Sequence, residues 1–197
     1  MKNKISFILL LVYFLSNSQI VFSIEPSIFV QSTVNRASEI LGSSISKDEK
    51  IEGLQKIAKD VVDIKGIGYY SLGSHKKNLS EDEKKEYLKV FEKYFLKSFS
   101  SRLAEYSNPK IEVNTQKRLN EKYTMVSSLL VATNDKPEIR IDWRINTKDP
   151  ENLLIIDVVI EGVSLAKVQK EEFNSIIQSG NGDIKSLFDS LKDFINK

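Results

Sequence analysis

The run Ile155-Ile156-Asp157-Val158-Val159-Ile160-Glu161-Gly162-Val163-Ser164-Leu165 constrains this chain more than any other stretch. It reads as one long strand that ends at a glycine and hands over to a helix. Positions 154, 156, 158 and 160 are all aliphatic, while the odd positions set Asp157 and Glu161 among apolar neighbours. Side chains alternate faces along a strand. One face is then wholly apolar, and the other is apolar with two carboxylates set into it. Such a strand lies between a core and a second layer that excludes water.

The same period of two governs residues 110–117, 121–133 and 138–146, as well as 153–162. Turn-rich links separate these segments: Leu119-Asn120, Asn134-Asp135-Lys136-Pro137 and Lys148-Asp149-Pro150-Glu151-Asn152. The spacing predicts an antiparallel meander of about four strands. Upstream, the apolar spacing is helical. A first helix covers residues 28–41 and stops at Gly42. A second starts at Ser46, with Glu49 completing a capping box, and a short third spans 63–72 and closes at Gly73. The fourth helix has Ser80 as N-cap, Glu83 three residues on, and acids in its first turn. Its stripe runs Tyr87, Phe91, Tyr94, Phe95, Phe99, Leu103, Tyr106 and ends at Asn108-Pro109. This stripe is expected to face the sheet. Two more helices, over 165–177 and 184–195, flank Gly180-Asn181-Gly182. Helices, then strands, then helices define an α+β fold, a strongly curved antiparallel sheet packed against helices.

The third and fourth strands are expected to be neighbours. Two registers keep both apolar faces inward, and they set Arg140 or Arg144 opposite Asp157. An Arg–Asp cross-strand pair, structural in role, is therefore expected. Arginine is scarce here (Arg36, Arg102, Arg118, Arg140 and Arg144 among many lysines). Where lysine dominates, an arginine marks a place for a planar fork, so Arg140 and Arg144 are also candidates for gripping a phosphate. Gly162 is expected to be structural, giving the strand-to-helix turn its backbone freedom.

The first residues have the form of a secretory signal. Lys2 and Lys4 precede an apolar run from Ile5 to Leu15, and Val21 and Ser23 are small residues suited to cleavage after Ser23. Residues 24–197 then make a single domain. The full chain carries 29 Lys+Arg against 27 Asp+Glu. Removing residues 1–23 takes Lys2 and Lys4 and no acid, leaving a formally neutral chain. Neutrality argues against nucleic acid, which needs a basic footprint, and against bulk electrostatic attachment to anionic membrane. With no cysteine and a single histidine, His75, neither a transition-metal site nor cysteine catalysis is expected.

Several blocks in order resemble one family. They are Tyr70-Ser71-Leu72-Gly73, Leu103-Ala104-Glu105-Tyr106, Arg140-Ile141-Asp142-Trp143, and Asp157 through Leu165 with its Glu161-Gly162-Val163-Ser164 core. Phe173, Gly182-Asp183-Ile184 and Leu187 to Leu191 follow. Together they resemble the MlaC, or toluene-tolerance auxiliary, family of periplasmic phospholipid-binding proteins. Ser74-His75-Lys76 stand where the family often carries an aromatic. The resemblance implies a monomeric soluble carrier, with phospholipid as cargo and no cofactor. It ferries lipid between an outer-membrane lipoprotein–porin complex and an inner-membrane ABC transporter with an MCE-domain subunit, maintaining outer-membrane lipid asymmetry. It also implies a fold similar to nuclear transport factor 2, with an internal apolar cavity. On that reading the cavity is lined by Leu72, Phe91, Phe95, Phe99, Leu103, Val126, Ile141, Trp143, Val159 and Val163.

The energetics suit such a role. A two-tailed lipid hides on the order of 30 methylenes, worth roughly 25 kcal/mol at ~0.8 kcal/mol each. Exchange between bilayer and an equally apolar cavity leaves the net free energy near zero, so loading and unloading are both feasible. The competing class is an enzyme. The same fold hosts isomerases and dehydratases that use a carboxylate base in an apolar cone, and Asp157 with Tyr69, Tyr70, Tyr94 or Tyr123 has the required residue types.

Overall fold

The computed structural model describes residues 24–107, 109–133 and 137–197. The expected signal segment, 1–23, lies outside the described residues. Helix α1 spans Pro26–Gly42, with proline in its first turn, and α2 spans Lys47–Val61. Helix α3 (Ile64–Ser71) leads into a 3-10 turn at Gly73–Asn78, and α4 covers Glu81–Leu103. Strands β1 (Ile111–Arg118), β2 (Tyr123–Leu130), β3 (Ile139–Asn146), β4 (Leu154–Ile160) and β5 (Val163–Ser164) follow. Helices α5 (Leu165–Ser179) and α6 (Ile184–Asn196) complete the chain. The α+β class and the antiparallel meander hold, with one strand more than expected, in the order β1-β2-β3-β4-β5. Both capping boxes form: Ser46 with Glu49 and Ser80 with Glu83.

The strand-to-helix handover is a hairpin. Ile160 pairs with Val163 around Glu161-Gly162. Their φ values of 47° and 82° are those of a type I′ turn. Glycine is at home there, whereas glutamate is strained. The β4 edge is closed further along by a parallel bridge from Val62 to Ile155, where Asp63 N donates to Ile155 O at 3.0 Å.

Register shifts at Val113/Thr115 and Arg144/Ile145 bend the sheet. The second shift also corrects the simple alternation read along β4. Val158 pairs with Trp143 and Ile160 with Ile141, but beyond the irregularity Ile155 pairs with Ile145. The core-facing parity therefore switches from even to odd. Part of the apparent two-sided apolarity of this strand is one core face, carried by different parities at its two ends.

Two cores result. The sheet core joins Val30 and Val34 of α1, Ile57 and Val61 of α2, and Val126, Ile145 and Ile155 of the strands. The helical core joins Ile67, Leu72, Tyr87, Val90, Phe91, Phe173, Ile177, Leu187, Phe188 and Leu191. Here the expected direction of the α4 stripe is overturned. Tyr87 and Phe91 face α3, α5 and α6, and α1 covers β1 and β2 instead. The reason is local: Gly68 of α3 has no side chain, and a Cβ there would come within 2.8 Å of the Phe91 ring. That gap lets α3 and α4 approach until the Tyr87 hydroxyl donates to Gly68 O at 3.0 Å. Burial pushes the Tyr87 phenol above its ordinary pKa. Helix α4 also ends at Leu103, one turn short of the expected stop, so Tyr106 lies beyond it.

Candidate functional site

Strand β3 presents Ile141, Trp143 and Ile145 to the inner face and Arg140, Asp142 and Arg144 to the outer one. Of the two open registers the structure takes the one that sets Arg144 opposite Asp157. The guanidinium meets the carboxylate at 3.3 Å. Asp157 is 4% exposed and accepts two further bonds. Ser164 Oγ donates to it at 2.7 Å and the Ala166 backbone N–H at 3.0 Å. Ser164 Oγ in turn accepts the Lys167 N–H at 3.1 Å, as N-cap of α5. A carboxylate set against the first turn of a helix complements its dipole. Asp157 thus ties β3, β5 and the start of α5 to β4.

Arg140 does not reach Asp157. Its Nη2 meets Asp142 Oδ2 at 3.0 Å on the same strand. Asp142 also accepts Ser127 Oγ at 2.6 Å. The Arg140 side chain is 62% exposed and that of Arg144 39%, so each guanidinium keeps a solvent-facing side. The backbone N–H of Arg140 donates to the Glu161 carboxylate, and Glu161 N donates to Arg140 O at 3.0 Å.

The apolar candidates fall into groups. Leu72 and Phe91 belong to the helical core, and Phe95 packs half-buried against it. Phe99 stacks on Phe95, with ring centroids 5.8 Å apart and planes at 6°, and Leu103 is half-buried near the end of α4. Val126, Ile141 and Trp143 share the inner sheet face. There the register makes two apolar rows, Val126–Trp143–Val158 and Ile141–Ile160–Val163. These rows are incompletely covered: Trp143, Val158 and Ile160 are half-buried and Val163 is 53% exposed. Val159 sits opposite Asp142, on the other face.

Three of the four tyrosines named with Asp157 are engaged elsewhere, and Tyr123 pairs with Asn146 at the start of β2. Tyr94 donates to Gln169 Oε1 at 3.1 Å, while Tyr69 and Tyr70 lie under Lys76 and Lys170, whose ammonium groups sit 4.1 and 5.3 Å from the ring centroids. Sequence reasoning missed Asp142 as the partner of Arg140, and Ser127 and Ser164 as donors to buried carboxylates. Ser164 carried a signal, standing just before a helix as N-caps do. Ser127 and Ser128 carried a weaker one, as two polar residues inside an apolar strand. Trp143 Nε1 donates to Ser128 Oγ at 2.8 Å. Among the described residues, no helix is long and apolar enough to cross a membrane.

A bent antiparallel sheet packed against helices, with apolar rows left half-covered on one face and the Arg–Asp pairs on the other, defines a domain of the α+β class. The family model described as MlaC protein matches residues 31–193, and the chain belongs to the MlaC family. A solved phospholipid-binding protein from Ralstonia solanacearum, in complex with a phospholipid, has a similar fold with a TM-score of 0.72. It is 15% identical, and the match covers 88% of this chain and 98% of that one. No curated protein is matched by this chain.

Proposed function

We propose that this protein is a phospholipid carrier of the periplasm, delivered there by residues 1–23 as a cleaved signal. Membership of the MlaC family over residues 31–193 carries the reading. Acyl tails take an apolar cavity between the inner sheet face and the helices, in a fold similar to nuclear transport factor 2. Val126, Ile141, Trp143 and Val163 line it from the sheet, and Phe95, Phe99 and Leu103 from α4; Leu72 and Phe91 are buried in the helical core behind them, and Val159, on the outer sheet face, lies outside it. The half-covered apolar rows support this, because the chain leaves them without enough of its own side chains to exclude water. Arg140 and Arg144 reach toward the lipid phosphate with their solvent-facing sides. The carrier works as a monomer between an outer-membrane lipoprotein–porin complex and an inner-membrane ABC transporter with an MCE-domain subunit, and so maintains outer-membrane lipid asymmetry.

The isomerase reading has no observation in its favour. The hydrogen-bonding positions of Asp157 are taken up by Arg144, Ser164 and Ala166. The deciding experiment is native mass spectrometry of protein purified from cells, with mass spectrometry of its solvent extract. Added mass matching a phospholipid is expected. Bare protein with an empty extract overturns the proposal.

A further inference from the structure

The two edges of the sheet are treated differently. The β4–β5 edge is closed by the Val62 bridge and the hairpin, while β1 is an eight-residue edge strand exposed from Asn114 to Arg118. Among the described residues, no backbone group of 114–118 bonds to anything outside β2. Nearer its start, the edge is met by a side chain standing in for a strand. Val113 N donates to Gln31 Oε1 at 3.1 Å, and Gln31 Nε2 points to Ile111 O at 3.5 Å. A carboxamide offers the same acceptor and donor as a peptide group. Gln31, Asn35 and Ser38 of α1 face this edge across a groove of about 650 Å³ whose other wall is Pro109 to Asn114. The charges along the edge are asymmetric: Lys110 pairs with Glu112 at 2.6 Å and Glu25 accepts Gln116 Nε2 at 3.1 Å, but Lys117 and Arg118 have no carboxylate partner among the described residues, Arg118 Nε donating to Asn120 O at 3.1 Å.

We propose that the β1 edge is a docking site for an extended acidic peptide segment of a partner protein, which adds as a further strand and displaces the Gln31 amide. Main-chain bonds to Ile111 and Val113 supply the pairing, and Lys117 and Arg118 select negative charge. A long unpaired edge is otherwise a hazard, and Gln31 guards it when nothing is bound. The site is separate from the lipid-lining rows and does not depend on lipid carriage.

The probe is a fluorescein-labelled, end-capped peptide of alternating glutamate and threonine, followed by anisotropy. Controls are the lysine–threonine peptide and the glutamate peptide N-methylated at alternate amides, which keeps charge but removes strand bonds. Saturable binding by the glutamate peptide is expected, weakened about tenfold or more by N-methylation or by Lys117→Glu with Arg118→Glu. Gln31→Ala is expected to tighten binding several-fold, since it removes the internal competitor, whereas a purely structural glutamine predicts loss. Circular dichroism and co-purified lipid should stay unchanged in each variant. Equal binding of the N-methylated peptide, no gain from Gln31→Ala, or self-association through β1 in sedimentation overturns the proposal.

Discussion

Arg144 and Asp157 face each other across β3 and β4, and the carboxylate is the more deeply buried partner. The asymmetry decides what each substitution does. Removing the carboxylate frees an arginine that can turn to solvent, but it strands the Ala166 N–H and Ser164 hydroxyl that the carboxylate satisfied. Removing the arginine leaves a buried anion with two donors. Asp157→Ala should cost about 2–4 kcal/mol. Arg144→Met should cost less, about 1–2 kcal/mol, because its guanidinium is more than a third exposed. Urea denaturation midpoints check both, and a larger loss from Arg144→Met would refute the ordering. Asp157→Asn that folds and retains lipid but loses a turnover activity would instead make Asp157 a catalytic base.

The type I′ turn at Glu161-Gly162 gives a second prediction. Gly162 has φ 82°, and nothing lies within 4 Å of where its Cβ would stand. Sterics with neighbours are therefore irrelevant and the cost is conformational. Gly162→Val should destabilise by about 1–2 kcal/mol, read as a lowered thermal midpoint. An unchanged midpoint would show that the hairpin adopts another turn.

The capping boxes predict a pH dependence. Hydrogen bonds from Ser46 and Ser80 hold the Glu49 and Glu83 carboxyls below the usual carboxylate range. A carboxyl lowered in the folded state contributes stability above its unfolded pKa, and that contribution disappears as pH falls through the folded value. Ser80→Ala should raise the Glu83 pKa toward the ordinary value and shorten this acid-side gain. Side-chain carbon NMR titration of the two proteins measures it, and a Glu83 pKa unmoved by the substitution would contradict the box.

Much of this architecture was legible because local chemistry and global fold agree. Ser46–Glu49 and Ser80–Glu83 announce helix starts that form as read. The Arg–Asp pair was narrowed to two registers by face matching alone. What failed did so for stated reasons. One inserted residue near Ile156 swaps parity along β4, and a period of two carries no mark of such a slip. The α4 stripe was assigned to the wrong layer because amphipathicity shows which face is buried but not against what. Gly68, which admits Phe91, leaves no mark in a pattern of apolar spacing.

Lipid retention tests the lining from both walls. Phe95 is half-buried and stacked on Phe99, and Ile160 is half-buried between Ile141 and Val163. Neither is among the fully buried side chains of the two cores, so each accepts substitution better than Phe91 or Ile155 would. Phe95→Glu and Ile160→Glu should each abolish lipid co-purification, since a charge among acyl tails costs several kcal/mol, while the fold persists by circular dichroism. Lipid at normal stoichiometry in either variant would remove that wall from the cavity.

Trp143 is the sole tryptophan of the chain, which makes it a reporter for the inner face. Its indole N–H is committed to Ser128 Oγ at 2.8 Å, so the ring is fixed, with one side against the sheet core and the rest half-covered. Its row neighbours are Val126, fully buried, and Val158, half-buried. If tails lie along this row, bromine atoms on an acyl chain come within contact distance of the indole. Reloading delipidated protein with phospholipid brominated mid-chain should then quench Trp143 emission strongly, and unbrominated lipid should not. Ser128→Ala, which costs about 1 kcal/mol by freeing the indole N–H, should broaden and red-shift the emission without abolishing the quenching. Full loading with no quenching would place the tails against another wall.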